Sequence, residues 1–214
     1  MITPQPQAKK LAAALGLTTE LYLKREDLHP YGSHKGRSIP PMINHYAGLG
    51  EKIFCISSSG NAALAAIYAV EELNKQETIQ PFTLRVFVGR HIEQNKLKKL
   101  RETITDAKNI IIEQVENPKQ IAFQMDKDSL AKNLRQSTDD TALAGYETLA
   151  IELAEIKNLS AVFIPTSSGT TAQGLYDGLK KHGLNPQIHI IQTPACHMIV
   201  ESSVPTESSL ANAI

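Results

Sequence analysis

The stretch GSHKGR at residues 32–37 contains the side chains best suited to covalent chemistry in this chain. Ser33 can cap a helix that begins here, which would place Lys35 in the first turn of that helix. The positive end of a helix dipole disfavours a cation, so it lowers the pKa of this amine. A neutral amine is the nucleophile that forms a Schiff base with an aldehyde. The alternative is that Lys35 and Arg37 are solvated charges in a loop.

Two later stretches carry small hydroxyl residues and glycine where an apolar strand passes into a helix. They are SSSGN at residues 57–61 and TSSGTT at residues 166–171. Backbone N–H groups exposed at such helix N-termini bind anions. The chain therefore has two candidate anion sites and one activated amine. Taken alone, either stretch could equally be an ordinary strand-to-helix turn, with Asn61 as a helix cap.

Apolar periodicity predicts the elements that position these residues. The predicted strands cover residues 21–25, 52–56, 83–88, 110–115, 161–165 and 187–192. The predicted helices cover residues 7–15, 62–73, 94–105, 118–133, 142–156 and 170–181, and a further one runs from Lys35 to Tyr46 or Leu49. Pro40 and Pro41 fall inside this last helix, whose regular part would then start as late as Ser38.

The repeated order of strand, helix and strand predicts an α/β fold with parallel sheets and helices on both faces. We predict two doubly wound domains, a small one at residues 50–135 and a large one at residues 136–214. Residues 1–49, which include Lys35, belong to the large domain. A polar stretch, RQSTDD at residues 135–140, marks the crossing between the two. The large domain is expected to be incomplete, because a sheet of two or three strands leaves an edge and a face uncovered.

Composition excludes several classes of function. With 22 basic and 22 acidic residues the net charge is zero, which argues against a nucleic-acid or anionic-membrane partner. The two cysteines have no CxxC spacing, and the histidines other than His34 have no metal-ligand spacing, so no metal site is predicted. The basic stretch KLKKLR at residues 96–101 is interpreted as a solvated face, or as a surface for a partner. We expect a cytoplasmic, soluble protein without a signal peptide or transmembrane segment.

Four stretches together carry a resemblance to a known family. LYLKREDLHP at residues 21–30, running into GSHKGR, resembles the segment that holds the cofactor lysine in pyridoxal-phosphate enzymes of the tryptophan-synthase-β fold, also called fold type II. The other matching stretches, in the order found in the family, are SSGN at residues 58–61, GYETLA at residues 145–150 and SSGTT at residues 167–171. The resemblance covers nearly the whole chain, and its motifs are most like those of threonine synthase and the threonine and serine dehydratases.

The resemblance implies a role for each motif. Lys35 would form the Schiff base with pyridoxal phosphate and move the α-proton of the substrate, with His34 beside the ring. Asn61 would hydrogen-bond the 3-hydroxyl group of the pyridine ring. The residues implied to bind the carboxylate of an amino-acid substrate are Ser58, Ser59, Gly60 and Asn61. The residues implied to hold the phosphate are Ser167, Ser168, Gly169, Thr170 and Thr171.

This sequence also departs from the family pattern. Family members continue well beyond residue 214, and their further part supplies the Ser or Thr that meets the pyridine nitrogen. Serines stand in the phosphate loop where the family has glycines. The sequence is therefore interpreted as a truncated product, a chain that a partner completes, or a relative without activity.

Two functions follow from these observations. The first is a pyridoxal-phosphate-dependent lyase or β/γ-replacement enzyme that acts on a small amino acid through Lys35, like threonine synthase or a dehydratase. The second is a non-catalytic cofactor-binding or interaction protein, a truncated or split family member. We expect either a homodimer or a completing chain. A nucleotide-binding α/β protein is disfavoured, because no Gly-rich phosphate fingerprint follows any predicted strand.

Overall fold

Helices and strands alternate along the computed structural model, which describes residues 2–76, 80–194 and 199. The α-helices are α1 (Lys9–Ala14), α2 (Lys35–Gly48), α3 (Asn61–Lys75), α4 (Gln94–Thr103), α5 (Pro118–Lys127), α6 (Thr141–Ala144), α7 (Glu147–Leu153) and α8 (Thr170–Lys181). The strands are β1 (Ile53–Ser57), β2 (Thr83–Gly89), β3 (Ile110–Val115), β4 (Lys132–Asn133), β5 (Ala161–Pro165) and β6 (Gln187–Ile191). Short 3-10 helices cover Glu26–Leu28 and Gln136–Thr138. None of the described helices is both long and apolar enough to cross a bilayer.

Two parallel sheets carry the loops that matter for function. The first has the strand order β3-β2-β1-β4, with Ile53 opposite Thr83 and Leu84 opposite Ile110. The second pairs β5 with β6. Because the strands of each sheet run in the same direction, the loops that follow them lie at one edge of that sheet, where α/β proteins bind ligands. The predicted α/β class is confirmed.

The larger hydrophobic core joins α2, the lysine helix that begins at Lys35, to the first sheet. Ile39, Met42 and Ile43 of α2 are fully buried and pack with α3, α4 and the strands. Cys55 and Phe87 face the other side of the sheet, where they pack under α5. Helices therefore cover both faces, as the fold class requires. The division into domains at residues 49 and 135 stays a prediction.

A second core lies between α7, α8 and the second sheet. Its buried members include Tyr146, Leu149 and Leu175. The outer face of this sheet is open, since Phe163 is 62% exposed and Ile191 is 47% exposed.

The predicted strand at residues 21–25 does not form and is a wrong prediction. Tyr22 makes only an isolated antiparallel bridge, with Gln7. The backbone N–H groups of Leu23 and Arg25 donate to the carbonyl oxygens of two prolines in the N-terminal segment, Pro6 (3.1 Å) and Pro4 (2.9 Å). Proline has no N–H group to return such bonds, so a regular ladder cannot develop.

The helix predicted from Lys35 to Tyr46 or Leu49 is confirmed, since α2 covers Lys35–Gly48. It is regular from Lys35 and continues through Pro40 and Pro41, so its regular part does not wait until Ser38. The first turn is closed before the prolines, because Gly36 N–H donates to the Ser33 carbonyl oxygen and Arg37 N–H to that of His34, each at 3.0 Å.

Two other predicted helices are shorter than expected. The one predicted at residues 118–133 ends at Lys127, and the chain then turns at Ser129 (φ 55°) into β4, a strand that pairs with β1 and was missed. The one predicted at residues 142–156 is divided into α6 and α7 at Gly145. Cys196, the second cysteine, lies outside the described residues.

Candidate active site

A cavity of about 760 Å³ lies at the carboxyl edge of the first sheet, next to the loop after β5. Most of the residues predicted for the site line it. They are His34, Lys35, Ser58, Ser59, Gly60, Asn61, Ser167, Ser168 and Thr171. The end of β2, Lys96 of α4 and residues 116–120 after β3 supply much of the remaining wall. The structure thus brings together three stretches that are far apart in sequence.

Gly169 and Thr170 lie outside this cavity. They line a neighbouring cavity of about 490 Å³, which Ser168 also borders. Gly169 adopts a left-handed conformation (φ 80°) that favours glycine, and its N–H group donates to Thr166 Oγ1 at 3.1 Å. Because of this turn, part of the loop borders the larger cavity and part borders the smaller one. Ser167, Ser168 and Thr171 are the loop residues left to meet a ligand beside Lys35.

Lys35 has the lowered pKa that its position suggests, but for a different reason. Burial lowers the pKa of its amine from the ordinary value of 10.5 to about 8, because a cation loses hydration there. The helix dipole is not needed to explain the shift. The N-cap of α2 is His34 rather than the predicted Ser33, but Ser33 Oγ still accepts a hydrogen bond from the backbone N–H of Lys35 at 3.3 Å.

His34 is held as a neutral ring beside Lys35. Burial and the charge of Lys35 lower its pKa to about 4, so the imidazole carries no charge at pH 7. Its ring centroid lies 6.4 Å from that of Tyr146, with an angle of 28° between the two planes. The site therefore offers a flat, uncharged surface next to the amine.

Tyr146 links the lysine helix to the loop after β5. The side chain is fully buried, and its hydroxyl accepts hydrogen bonds from Ser38 Oγ at 3.2 Å and from Thr171 Oγ1 at 3.1 Å. Gln136 Nε2 in turn donates to Ser38 Oγ. Burial raises the pKa of Tyr146, so the phenol stays protonated. Sequence reasoning missed this connection, although Tyr146 stands inside the GYETLA motif.

Close backbone packing explains why the same motif begins with a glycine, Gly145. A Cβ atom at this position would lie 1.9 Å from the carbonyl oxygen of Arg37, so the backbones of α2 and the α6–α7 turn touch here. We expect Gly145→Ala to lower the free energy of unfolding by about 1–3 kcal/mol or more, because the helices must separate. Urea denaturation measures the change. Gly48→Ala, where a Cβ atom meets nothing within 4 Å, is the control, and an equal loss in both variants would contradict this explanation.

An ionic cluster lies behind Lys35, on the side of α2 away from the cavity. Arg37 Nη1 is 2.5 Å from Glu152 Oε1, and Arg37 Nη2 is 2.8 Å from Glu26 Oε1. Lys24 Nζ also contacts Glu152, and Thr3 N–H donates to Glu152 Oε2 at 3.1 Å. Burial by itself would raise the pKa of Glu152, but the hydrogen bonds from Arg37 and Lys24 outweigh it and lower the pKa to about 2.

Interpreting Arg37 as a solvated charge is therefore wrong. Its side chain is only 3% exposed. Residues i and i+2 of a helix do not share a face, which is why Lys35 enters the cavity while Arg37 turns to the interior.

This α/β fold places an amine of lowered pKa and two hydroxyl-rich turns at helix N-termini around one cavity. Comparison with known proteins identifies the family directly. The model of the pyridoxal-phosphate dependent enzyme family matches residues 2–214, and the chain belongs to that family. Pyridoxal phosphate is accordingly the cofactor of its relatives, and the predicted resemblance is confirmed.

Curated relatives match most of this chain at low identity. L-serine dehydratase/L-threonine deaminase from Bos taurus is 27% identical over 189 residues, which are 86% of this chain and 54% of that protein. The Homo sapiens protein of the same name is 29% identical over 190 residues, covering 85% and 53%. The chain thus spans about half the length of the curated relatives that it matches.

Solved structures show that the fold is that of fold type II. Threonine deaminase isoform 2 from Solanum lycopersicum superposes with a TM-score of 0.76 at 22% identity, covering 92% of this chain and 52% of that one. An L-serine ammonia-lyase from Rhizomucor miehei gives a TM-score of 0.73 at 20% identity, covering 91% and 60%.

Proposed function

We propose that the chain binds pyridoxal phosphate through a Schiff base on Lys35 and acts as a lyase on a small amino acid, in the manner of a serine or threonine dehydratase. The observation that carries this proposal is the shared cavity, which joins an amine of lowered pKa to two hydroxyl-rich turns at helix N-termini. Family membership and the names of the curated relatives support it.

The residues of the cavity fit the cofactor. The hydroxyls of Ser167 and Ser59 and the side-chain amide of Asn61 have no hydrogen-bond partner within the described part of the chain, so they are available to a ligand. The loop before α8 would hold a phosphate group at the N-terminus of a helix of 12 residues. Asn61, the first residue of α3, would hydrogen-bond the 3-hydroxyl of the pyridine ring.

Each group of the chain has a separate task in this proposal. The cofactor, when bound, supplies the electron sink that stabilises a carbanion at Cα of the substrate. The turn at residues 58–60 would hold the substrate carboxylate. Lys35 Nζ would take the α-proton once the substrate amine has displaced it, a role that its pKa near 8 suits at neutral pH. His34 would lie beside the ring without adding charge.

One observation favours a second candidate, a non-catalytic cofactor-binding or interaction protein that needs a partner chain. The outer face of the second sheet carries Phe163, whose ring stacks only on His189, at 4.5 Å, among the aromatic contacts of the described residues. A homodimer or a completing chain would cover such a face. We also propose the two-domain division at residues 50 and 136 and a cytoplasmic location.

A titration with pyridoxal phosphate between pH 6.5 and 9.5 tests the proposal. Since the Lys35 pKa is lowered to about 8, about one tenth of the amine is neutral at pH 7 and about half at pH 8. We expect the rate of formation of the Schiff-base absorbance to rise about tenfold per pH unit below pH 8 and to level off above it. An ordinary lysine would give a rate that still rises at pH 9.5.

The titration also separates the two candidates. Formation of a 2-oxo acid from a small amino acid, such as L-serine or L-threonine, by the loaded protein supports the lyase, whereas cofactor binding without turnover of any small amino acid supports the non-catalytic alternative. An absorbance that does not saturate with cofactor would contradict both.

A further inference from the structure

Two lysines other than Lys35 line the cavity, and both stand where a cation is unfavourable. Lys96 lies in the first turn of α4 and Lys119 in the first turn of α5, and each helix has 10 residues. The positive end of a helix dipole repels a cation in the first turn. Neither ammonium group has an ion pair or hydrogen bond to any of the residues that the structure describes. An anion at this wall would compensate both charges.

Among the described residues that line the cavity there is one carboxylate, and it does not compensate the two lysines. Glu116 Oε2 lies 3.1 Å from Nε of Arg90, and Arg90 does not line the cavity. This pair is exposed and contributes little to stability, but it offsets the negative charge of Glu116. The wall formed by the loops after β2 and β3 therefore carries a net positive charge.

The strand order fixes where this wall lies relative to the proposed carboxylate site. The turn at residues 58–60 follows β1, Lys96 comes after β2, and Lys119 comes after β3. Neighbouring strands are about 4.8 Å apart, so the loops after β2 and β3 begin roughly 5 and 10 Å from that turn. An amino acid held there by its α-carboxylate could extend a side chain of a few bonds toward the two lysines.

We infer that the substrate is an amino acid whose side chain carries an anionic group, a carboxylate or a phosphate, which Lys96 and Lys119 bind. This inference rests on the proposed function and specifies its substrate class. A neutral hydroxy amino acid would leave both cations without a partner in the cavity. The amides of Asn117 and Gln120, which line the same wall, can donate further hydrogen bonds to such an anion.

The test compares three ligands of the protein loaded with pyridoxal phosphate, in a buffer of low ionic strength without phosphate. L-serine, L-aspartate and O-phospho-L-serine are titrated, and the change in cofactor absorbance gives the apparent Kd of each. We expect at least one anionic ligand to bind at least tenfold more tightly than L-serine. Tighter binding of L-aspartate would identify the anion as a carboxylate, and tighter binding of O-phospho-L-serine would identify it as a phosphate. Added salt should reduce this preference, because the rim of the cavity is open to solvent.

In the double variant Lys96→Gln/Lys119→Gln, the ratio of the Kd for L-serine to the Kd for the preferred anionic ligand should fall about tenfold. Its cofactor uptake at Lys35 should be unchanged. The matched control is Lys99→Gln/Lys108→Gln, which removes the same charge from residues that do not line the cavity. The control should keep the full preference.

The possible failures are distinguishable. Equal affinity for all three ligands, or a preference that survives in the double variant, would overturn the inference and leave the proposed cofactor site intact. Failure to take up pyridoxal phosphate would overturn the proposed function, and this inference with it.

Discussion

Lys35→Ala should abolish covalent attachment of pyridoxal phosphate. The amine of Lys35 is partly buried in the cavity and has a pKa lowered to about 8, so it is the amine prepared for attack on an aldehyde. Borohydride reduction followed by peptide mapping should place the label of the unaltered chain at Lys35. In the variant, the absorbance of the Schiff base should be lost. Weak, reversible cofactor binding should remain, because the hydroxyls of Ser167 and Thr171 are untouched.

The mapping step is decisive for this prediction, because Lys96 and Lys119 also line the cavity. Lys52→Ala serves as the control, since Lys52 Nζ lies 4.0 Å from the centroid of the Phe82 ring and does not line the cavity. The control should label normally. If the borohydride-reduced adduct maps to Lys96, or if the Lys35→Ala variant is labelled as strongly as the unaltered chain, the assignment of Lys35 as the cofactor lysine is refuted.

Glu152→Gln should cost about 3–5 kcal/mol of unfolding free energy. The substitution keeps the shape of the side chain but removes the charge that faces Arg37 and Lys24. The side chains of Glu152 and Arg37 are only 7% and 3% exposed, so water cannot replace the lost partner. Arg37 would then keep Glu26 as a carboxylate partner, but Lys24 would lose the carboxylate that it contacts. Urea denaturation at pH 7 measures the loss.

Glu113→Gln is the matched control for this change. Glu113 Oε1 lies 2.7 Å from Arg85 Nε, but the two side chains are 30% and 40% exposed. The same loss of charge should therefore cost less than about 1 kcal/mol. Similar losses in both variants would show that the cluster around Arg37 is not a buried ionic network.

The pH dependence of stability should distinguish the two variants further. The pKa of Glu152 is lowered from 4.5 to about 2 in the folded chain. A carboxyl group with a lowered pKa stabilises the fold above its unfolded value and loses that contribution as the pH falls toward its folded value. The unaltered chain and Glu113→Gln should both lose this stability between about pH 4.5 and pH 2. Glu152→Gln should lack this part of the acid transition.

Several features of the site could be predicted from the sequence because local patterns determine them. Hydroxyl and glycine residues after β1 and β5 lie at the carboxyl ends of parallel strands, and chain topology brings such ends toward a ligand. This is why residues 58–61 and much of residues 167–171 share a cavity with Lys35. The predicted bounds of β3 and β5 agree with the structure for the same reason, since both are short apolar runs between clear turns.

Other features depend on contacts that no local pattern contains. The strand expected at residues 21–25 does not form, because the segment beside it is the N-terminal one that contains Pro4 and Pro6. One partner of Arg37, Glu152, is a carboxylate 115 residues further on. The lowered pKa of Lys35 comes from burial, which depends on how the helices pack. Gly169 and Thr170 face another cavity because one left-handed residue turns the loop.

The bond between Thr3 and Glu152 has a consequence for the time at which the site forms during synthesis. These residues are 149 positions apart, and Arg37 lies between them in the same cluster. At a ribosomal rate of about 5–20 residues per second, α2 waits on the order of ten seconds for the carboxylate of Glu152. During that time Glu26 can already pair with Arg37, but the second carboxylate of the cluster has not yet been made. Lys35, the proposed cofactor lysine, is therefore made early, whereas the ionic cluster behind it is completed late.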